Sequence, residues 1–122
     1  MHHTPIIAIV DDDDGVRSSL TSLLRSLGYQ VRSYASAREF LDDRGAGDPG
    51  CMITDIQMPN MTGDQLQAEL IASGRDFPMI FMTAFPTETT RQRVLAAGGF
   101  AYLDKPVEGD AITRCLAELF AG

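Results

Sequence analysis

Five residues in this chain have types and positions that suit chemistry: Asp11, Asp12, Asp55, Thr83 and Lys105. The first two follow an apolar run, "IIAIV", which leads straight into four aspartates, Asp11 to Asp14. Four like charges in a row repel, and those nearest a core also lose solvation. Asp55 closes a second apolar run, "CMIT", and Thr83 closes a third, "PMIFM". Lys105 comes just past a fourth, "FAYL", and precedes Pro106. Carboxylate oxygens gathered in one place suit a hard divalent cation such as Mg²⁺, which takes a few carboxylates and fills its shell with water. Such a cation would offset the repulsion. Lysine is a compact point charge on a long stem, able to pair with a carboxylate or a phosphoryl oxygen. A threonine hydroxyl can serve another phosphoryl oxygen. A carboxylate flanked by a divalent ion, a lysine and a hydroxyl is a site suited to an aspartyl phosphate.

These residues converge only if the surrounding elements bring them together. Continuous apolar runs of about five residues read as strands covered on both faces. Between them lie amphipathic stretches. Val16, Leu20, Leu23, Leu24 and Leu27 fall at helical spacing, with Gly28 as the C-terminal cap. "YQVRSY" alternates, as an edge strand does. "SAREFLDD" reads as a short helix capped by Ser36, and "RGAGDPG" as a loop. Leu66, Leu70 and Ile71 mark a helix ending near Gly74, and another is expected over residues 87–97. Ile112, Cys115, Leu116, Leu119 and Phe120 give the last helix one strong apolar face. Five βα units predict an α/β fold: an open, doubly wound five-stranded parallel sheet with helices on both faces and right-handed crossovers. Ligands of such sheets bind outside the carboxyl ends of the strands, which is where the five residues fall. Asp13 and Asp14 are expected at a helix start, facing solvent.

The chain has 122 residues, enough for one domain with its own core. A single domain over residues 1–122 is expected, with no effector domain in the chain. The net charge of −7 argues against nonspecific nucleic-acid binding, which needs a basic face. Acidic balance also serves solubility. Cys51 and Cys115 lie in apolar patterns outside any CxxC pair and read as small core hydrophobes in a reducing compartment. No apolar run approaches the ~18 residues of a membrane span, and "MHHTP" lacks the features of a signal peptide. A cytoplasmic location is expected. His2 and His3 read as terminal residues without a metal role.

The stretches "IVDDD", "TDIQMPNMTG", "MTA" and "YLDKP" occur in an order and spacing that resemble the response-regulator receiver domains of two-component signalling, over essentially the whole chain. "VDDDDGVRSSLTSLLRSLGYQVRSYASAREFL" and "DIQMPNMTG" are most similar to the FixJ-type branch, whose members usually carry a C-terminal DNA-binding helix-turn-helix. The resemblance implies a flavodoxin-like strand order of 2-1-3-4-5. It implies that Asp55 accepts a phosphoryl group from the phosphohistidine of a sensor histidine kinase. Asp11, Asp12, Asp55 and the backbone carbonyl of Gln57 would hold Mg²⁺, for which Mn²⁺ could substitute. Thr83 and Lys105 would bind phosphoryl oxygens. Thr83 and Tyr102 would form the switch that repacks a face made by the fourth helix, fifth strand and fifth helix. Met58-Pro59 and Gly63 would shape the loop after Asp55, and Lys105-Pro106 would be cis.

The chain would then be a signalling phosphoacceptor and not an enzyme beyond its own phosphotransfer and autodephosphorylation. It would form a homodimer on phosphorylation, with no direct nucleic-acid or membrane binding by this domain. Gln57, Phe85 and Gly99 depart from the usual family pattern. The first two flank the route of water to an acyl phosphate, and Gly99 is expected to loosen the approach to the last strand. Two other readings stay open: a receiver-like interaction module that is not phosphorylated, and a haloacid-dehalogenase-like phosphohydrolase, whose DxDG[TV] motif "DDDGV" matches at residues 12–16. Length weighs against the second, because its other motifs have no room here. The intact Asp/Asp/Asp/Thr/Lys set weighs against the first.

Overall fold

The computed structural model describes residues 4–121; His2 and His3 lie outside them. Strand β1 (Ile6–Val10) leads into helix α1 (Asp14–Ser26), followed by β2 (Gln30–Tyr34) and α2 (Ala37–Asp42). Then come β3 (Cys51–Asp55), α3 (Gly63–Ala72), β4 (Met79–Thr83), α4 (Glu88–Ala96), β5 (Ala101–Asp104) and α5 (Gly109–Phe120). All strand pairs are parallel, in the order β2-β1-β3-β4-β5. This is the doubly wound, flavodoxin-like α/β sheet expected from the alternation of elements.

The sheet separates two apolar layers. On one face Ala8, Val10, Met52 and Phe81 pack with Phe40, Leu66, Leu70 and Val94 from α2, α3 and α4. On the other, Ile7, Ile9, Ile53, Ile80 and Met82 pack with Leu20, Leu24, Ile112 and Leu116 from α1 and α5. Alternate residues of one strand therefore serve opposite layers, and the central strands need apolar side chains throughout. β3 and β4 are buried along their full length, whereas edge strand β2 is largely half-buried or exposed.

Local chemistry sets the ends of the elements. Asp13 caps α1 by accepting the Val16 N–H at 3.0 Å, and Asp14 pairs with Arg17 in the first turn. Ser36, Thr62 and Thr87 cap α2, α3 and α4 in the same way. Thr62 and Gln65 complete a reciprocal capping box. Gly28, Gly74 and Gly98 end helices with positive φ.

Several details refine the sequence expectation. The "RGAGDPG" stretch contains a 3-10 turn at Arg44–Ala46. β5 begins one residue later than expected, leaving Phe100 outside the strand. At Gly99 the chain is crowded. A Cβ there would sit 2.7 Å from the Val94 carbonyl oxygen and 2.8 Å from the Phe81 ring, so a large Phe81 fills the space a side chain at 99 would need. Of the two cysteines, Cys51 is buried and Cys115 only half-buried. Burial, then the neighbouring Cys115, pushes the Cys51 thiol up to about 12, which leaves it unreactive at neutral pH.

Candidate functional site

The site lies at the carboxyl ends of β1, β3, β4 and β5. Because parallel neighbours run in register, Val10 pairs with Thr54, Asp55 with Met82 and Thr83 with Asp104. The residues that end each strand therefore emerge on one rim. Asp11 is held in place by the Asp11 N–H donating to the Tyr34 carbonyl at 3.1 Å, and the Lys105 N–H donates to the Thr83 carbonyl at 2.7 Å. The Lys105-Pro106 peptide is cis.

Asp11, Asp12 and Asp55 each offer a carboxylate oxygen, and these oxygens all lie within 4.8 Å of one another. Asp11 and Asp55 are buried, and Asp12 is exposed. Lys105 Nζ donates to Asp11 Oδ2 at 2.9 Å and stands 3.3 Å from Asp55 Oδ2. Asp11 Oδ1 accepts the Asp13 N–H at 2.9 Å, which joins the site to the cap of α1. The other Asp55 oxygen, Oδ1, is buried without a hydrogen-bond partner. A buried, unpaired carboxylate oxygen is costly unless a ligand meets it.

The electrostatics follow from this crowding. Burial, then the charge of Asp11, raises the Asp55 carboxyl above its ordinary value; Lys105 and the Gln57 backbone N–H act the other way. Burial alone would lower Lys105, but hydrogen bonding and charge from Asp11, and then Asp55, outweigh it and raise the ammonium. Lys105 thus stays charged while shared between two carboxylates. A donor set made of carboxylate oxygens with surplus negative charge fits a hard divalent cation.

Thr83 is fully buried. Its hydroxyl donates to Gln57 Oε1 at 2.7 Å and accepts the Phe85 N–H at 3.0 Å. Tyr102 is half-buried, and its hydroxyl accepts the Thr87 N–H at 3.2 Å, at the cap of α4. Phe85 is 72% exposed beside the site. Gly63 opens α3, and a Cβ on it would fall 2.3 Å from the Asp55 carbonyl oxygen. Only glycine lets α3 start this close to the strand end.

The structure brings Asp11, Asp12, Asp55, Thr83 and Lys105 to one rim and places Tyr102 on the adjoining strand. Asp13 and Asp14 belong to the helix start. Sequence reasoning missed two contacts. The Gln57–Thr83 bond joins residues on neighbouring strand exits. The buried Gln67 donates through Nε2 to the Val94 carbonyl at 2.9 Å, tying α3 to α4. A glutamine at an otherwise apolar position of α3 was the available signal for the second.

The response regulator receiver domain model matches residues 7–117, and the chain belongs to that family. It is therefore a module of two-component signalling, not a conventional enzyme. Among relatives, it is 36% identical over 115 residues to the transcriptional regulatory protein TdiR of Thauera aromatica, covering 91% of this chain and 51% of TdiR. It is 38% identical over 106 residues to the transcriptional regulatory protein FixJ of Azorhizobium caulinodans, covering 87% of this chain and 50% of FixJ. The chain thus spans about half the length of the curated relatives it matches. The solved structure of FixJ-N superposes with a TM-score of 0.85 at 28% identity, covering 98% of this chain and 94% of that one. The response regulator StyR superposes at 0.86 and 35% identity, covering 95% of this chain and 59% of StyR. Among the described residues no helix is long and apolar enough to cross a membrane.

Proposed function

We propose that Asp55 accepts a phosphoryl group from the phosphohistidine of a sensor histidine kinase. The observation that carries this reading is the setting of the Asp55 carboxylate. It is buried, has an ammonium 3.3 Å from one oxygen and no partner on the other, and lies beside two further carboxylates. A carboxylate oxygen of Asp55 attacks phosphorus. A P–O bond forms, the P–N bond breaks, and its electron pair stays on the imidazole nitrogen. Lys105 follows the charge from the carboxylates to the transferred oxygens, and the Thr83 hydroxyl donates to another of them. Asp11, Asp12, Asp55 and the Gln57 backbone carbonyl would hold Mg²⁺, or Mn²⁺ in its place. The bound cation would neutralise charge on the carboxylates and the phosphoryl oxygens.

The acyl phosphate adds charge and acceptor oxygens at the rim. As Thr83 is drawn toward them, Tyr102 turns into the space it leaves and gives up the Thr87 N–H at the cap of α4. The α4-β5-α5 face then repacks, and the phosphoryl group works by favouring one of two states. Dimerisation with a second copy is the expected readout. The domain itself contacts neither nucleic acid nor membrane and acts in the cytoplasm. The names of TdiR and FixJ support control of transcription as the output of the whole protein.

Acetyl phosphate with Mg²⁺, followed by intact mass and size-exclusion chromatography, tests this reading. The expected result is a gain of one phosphoryl group that is lost with EDTA and in Asp55→Asn, together with a shift to dimer. No gain, combined with no stable beryllofluoride complex, would replace it with a passive interaction module.

A further inference from the structure

A threonine hydroxyl carries one proton, and in Thr83 that proton is already engaged. It is directed to Gln57 Oε1 at 2.7 Å, while the Phe85 N–H occupies the same oxygen from another side at 3.0 Å. Thr83 is fully buried, whereas Gln57 is exposed and lies two residues beyond Asp55. The hydroxyl cannot donate to a phosphoryl oxygen on Asp55 until its bond to Gln57 opens. We propose that the Gln57 side chain is a positioning residue that latches Thr83 in the resting state, so that the phosphoryl group competes with an internal acceptor for one proton. The proposal deepens, and rests on, the reading of Asp55 as phosphoacceptor.

Two separate parts of Gln57 face the site. Its backbone carbonyl belongs to the cation set suggested above, and its side-chain carbonyl holds Thr83. A change of side chain therefore separates them. Methionine matches the length of glutamine and lacks its strong acceptor. Loss of one neutral hydrogen bond open to water on one side shifts an equilibrium by about fivefold. The affinity for any ligand that needs the released hydroxyl rises by that factor, because more of the protein is already competent.

The test is a beryllofluoride titration at saturating Mg²⁺ of the wild type, Gln57→Met, Thr83→Ala and the double variant. The Thr83 χ1 coupling is measured by NMR in the ligand-free wild type and Gln57→Met. The latch predicts about fivefold tighter binding for Gln57→Met, no effect of that change in the Thr83→Ala background, and a Thr83 χ1 that averages once Gln57 is gone. Equal affinities in wild type and Gln57→Met, or an unchanged χ1, would overturn it. Weaker binding by Gln57→Met would also overturn it, and would make the amide a phosphoryl contact. Failure of the wild type itself to bind beryllofluoride would remove the phosphoacceptor reading beneath it. That outcome is distinguishable, because a failed latch leaves wild-type binding intact.

Discussion

Replacing Gly63 by alanine should destabilise the domain and disable Asp55 together, although Gly63 touches no ligand. Gly63 is the first residue of α3; even in a helix interior alanine is favoured over glycine by only about 1 kcal/mol. Here the added Cβ would lie 2.3 Å from the Asp55 carbonyl oxygen, 3.1 Å from its carbonyl carbon and 3.2 Å from Ile56 Cα. The first distance is roughly 1 Å inside an ordinary C···O contact. All three atoms are backbone at the end of a buried strand, so no side chain can swing aside. Overpacking of this kind costs about 3 kcal/mol at the upper end, which leaves a net loss of about 2 kcal/mol after the helix preference. For a domain of this size that corresponds to a fall in Tm of roughly 8 °C. Relief requires Asp55 to move relative to Asp11 and Lys105, so beryllofluoride affinity should fall as well. Gly109→Ala is the matched control, because it also opens a helix, but its Cβ would meet only the two Leu23 methyls, at 3.6 and 3.8 Å. Thermal unfolding by circular dichroism and a beryllofluoride titration on both variants decide the matter. Gly63→Ala as stable as Gly109→Ala, with undiminished beryllofluoride binding, would refute the reasoning.

Gly99→Ala should likewise cost about 1–3 kcal/mol by overpacking, and Phe81→Leu in the same chain should recover part of it, since the Phe81 ring is one of the two obstacles; denaturant unfolding of both variants and the pair would show that coupling, and simple additivity would contradict it. Asp12→Asn removes an exposed charge from the carboxylate cluster without touching Lys105, so the Mg²⁺ needed for phosphoryl uptake should rise on the order of tenfold while Tm in metal-free buffer rises slightly. Asp64 should contribute stability at neutral pH that is lost in acid. Burial would raise its carboxyl, but hydrogen bonds from Thr62 and its own N–H, with the Arg93 guanidinium, outweigh burial and hold it below its ordinary value. A carboxyl depressed in the folded state stabilises above its unfolded value and loses that contribution as the pH falls through the folded one, here below about pH 4. Arg93→Gln should therefore cost about 0.5 kcal/mol at pH 7, as a solvent-screened pair does, and progressively less as the pH falls below about 4; a Tm difference that does not shrink on acidification would contradict the pairing.

Much of the fold could be read directly because burial and backbone geometry act locally. "IIAIV" and "PMIFM" are apolar on both faces because the strands they form are covered on both faces. Asp13 could be placed at a helix start because capping depends on a few consecutive residues. The rim of Asp11, Asp55, Thr83 and Lys105 was legible for a different reason: a parallel sheet aligns strand ends, so each residue needed only to be located on its own strand. What stayed hidden depends on pairs distant in sequence. The crowding at Gly99 comes from Phe81 on β4, distant in sequence, which fills the space a side chain would need. Gln57 and Thr83 meet across two strand exits through a side-chain rotamer, which no periodicity encodes. The 3-10 turn at Arg44–Ala46 leaves little trace in a segment dominated by glycine and charge.

The measurement that bears most directly on the central claim is chemical trapping of the modified residue. The domain is incubated with acetyl phosphate and Mg²⁺ and reduced with borohydride, which converts an acyl phosphate to the alcohol, and the peptides are sequenced by tandem mass spectrometry. The account predicts homoserine at position 55 alone, dependent on the metal. Reduction at Asp11 or Asp12, or none at position 55 in protein whose intact mass shows a phosphoryl group, would contradict it.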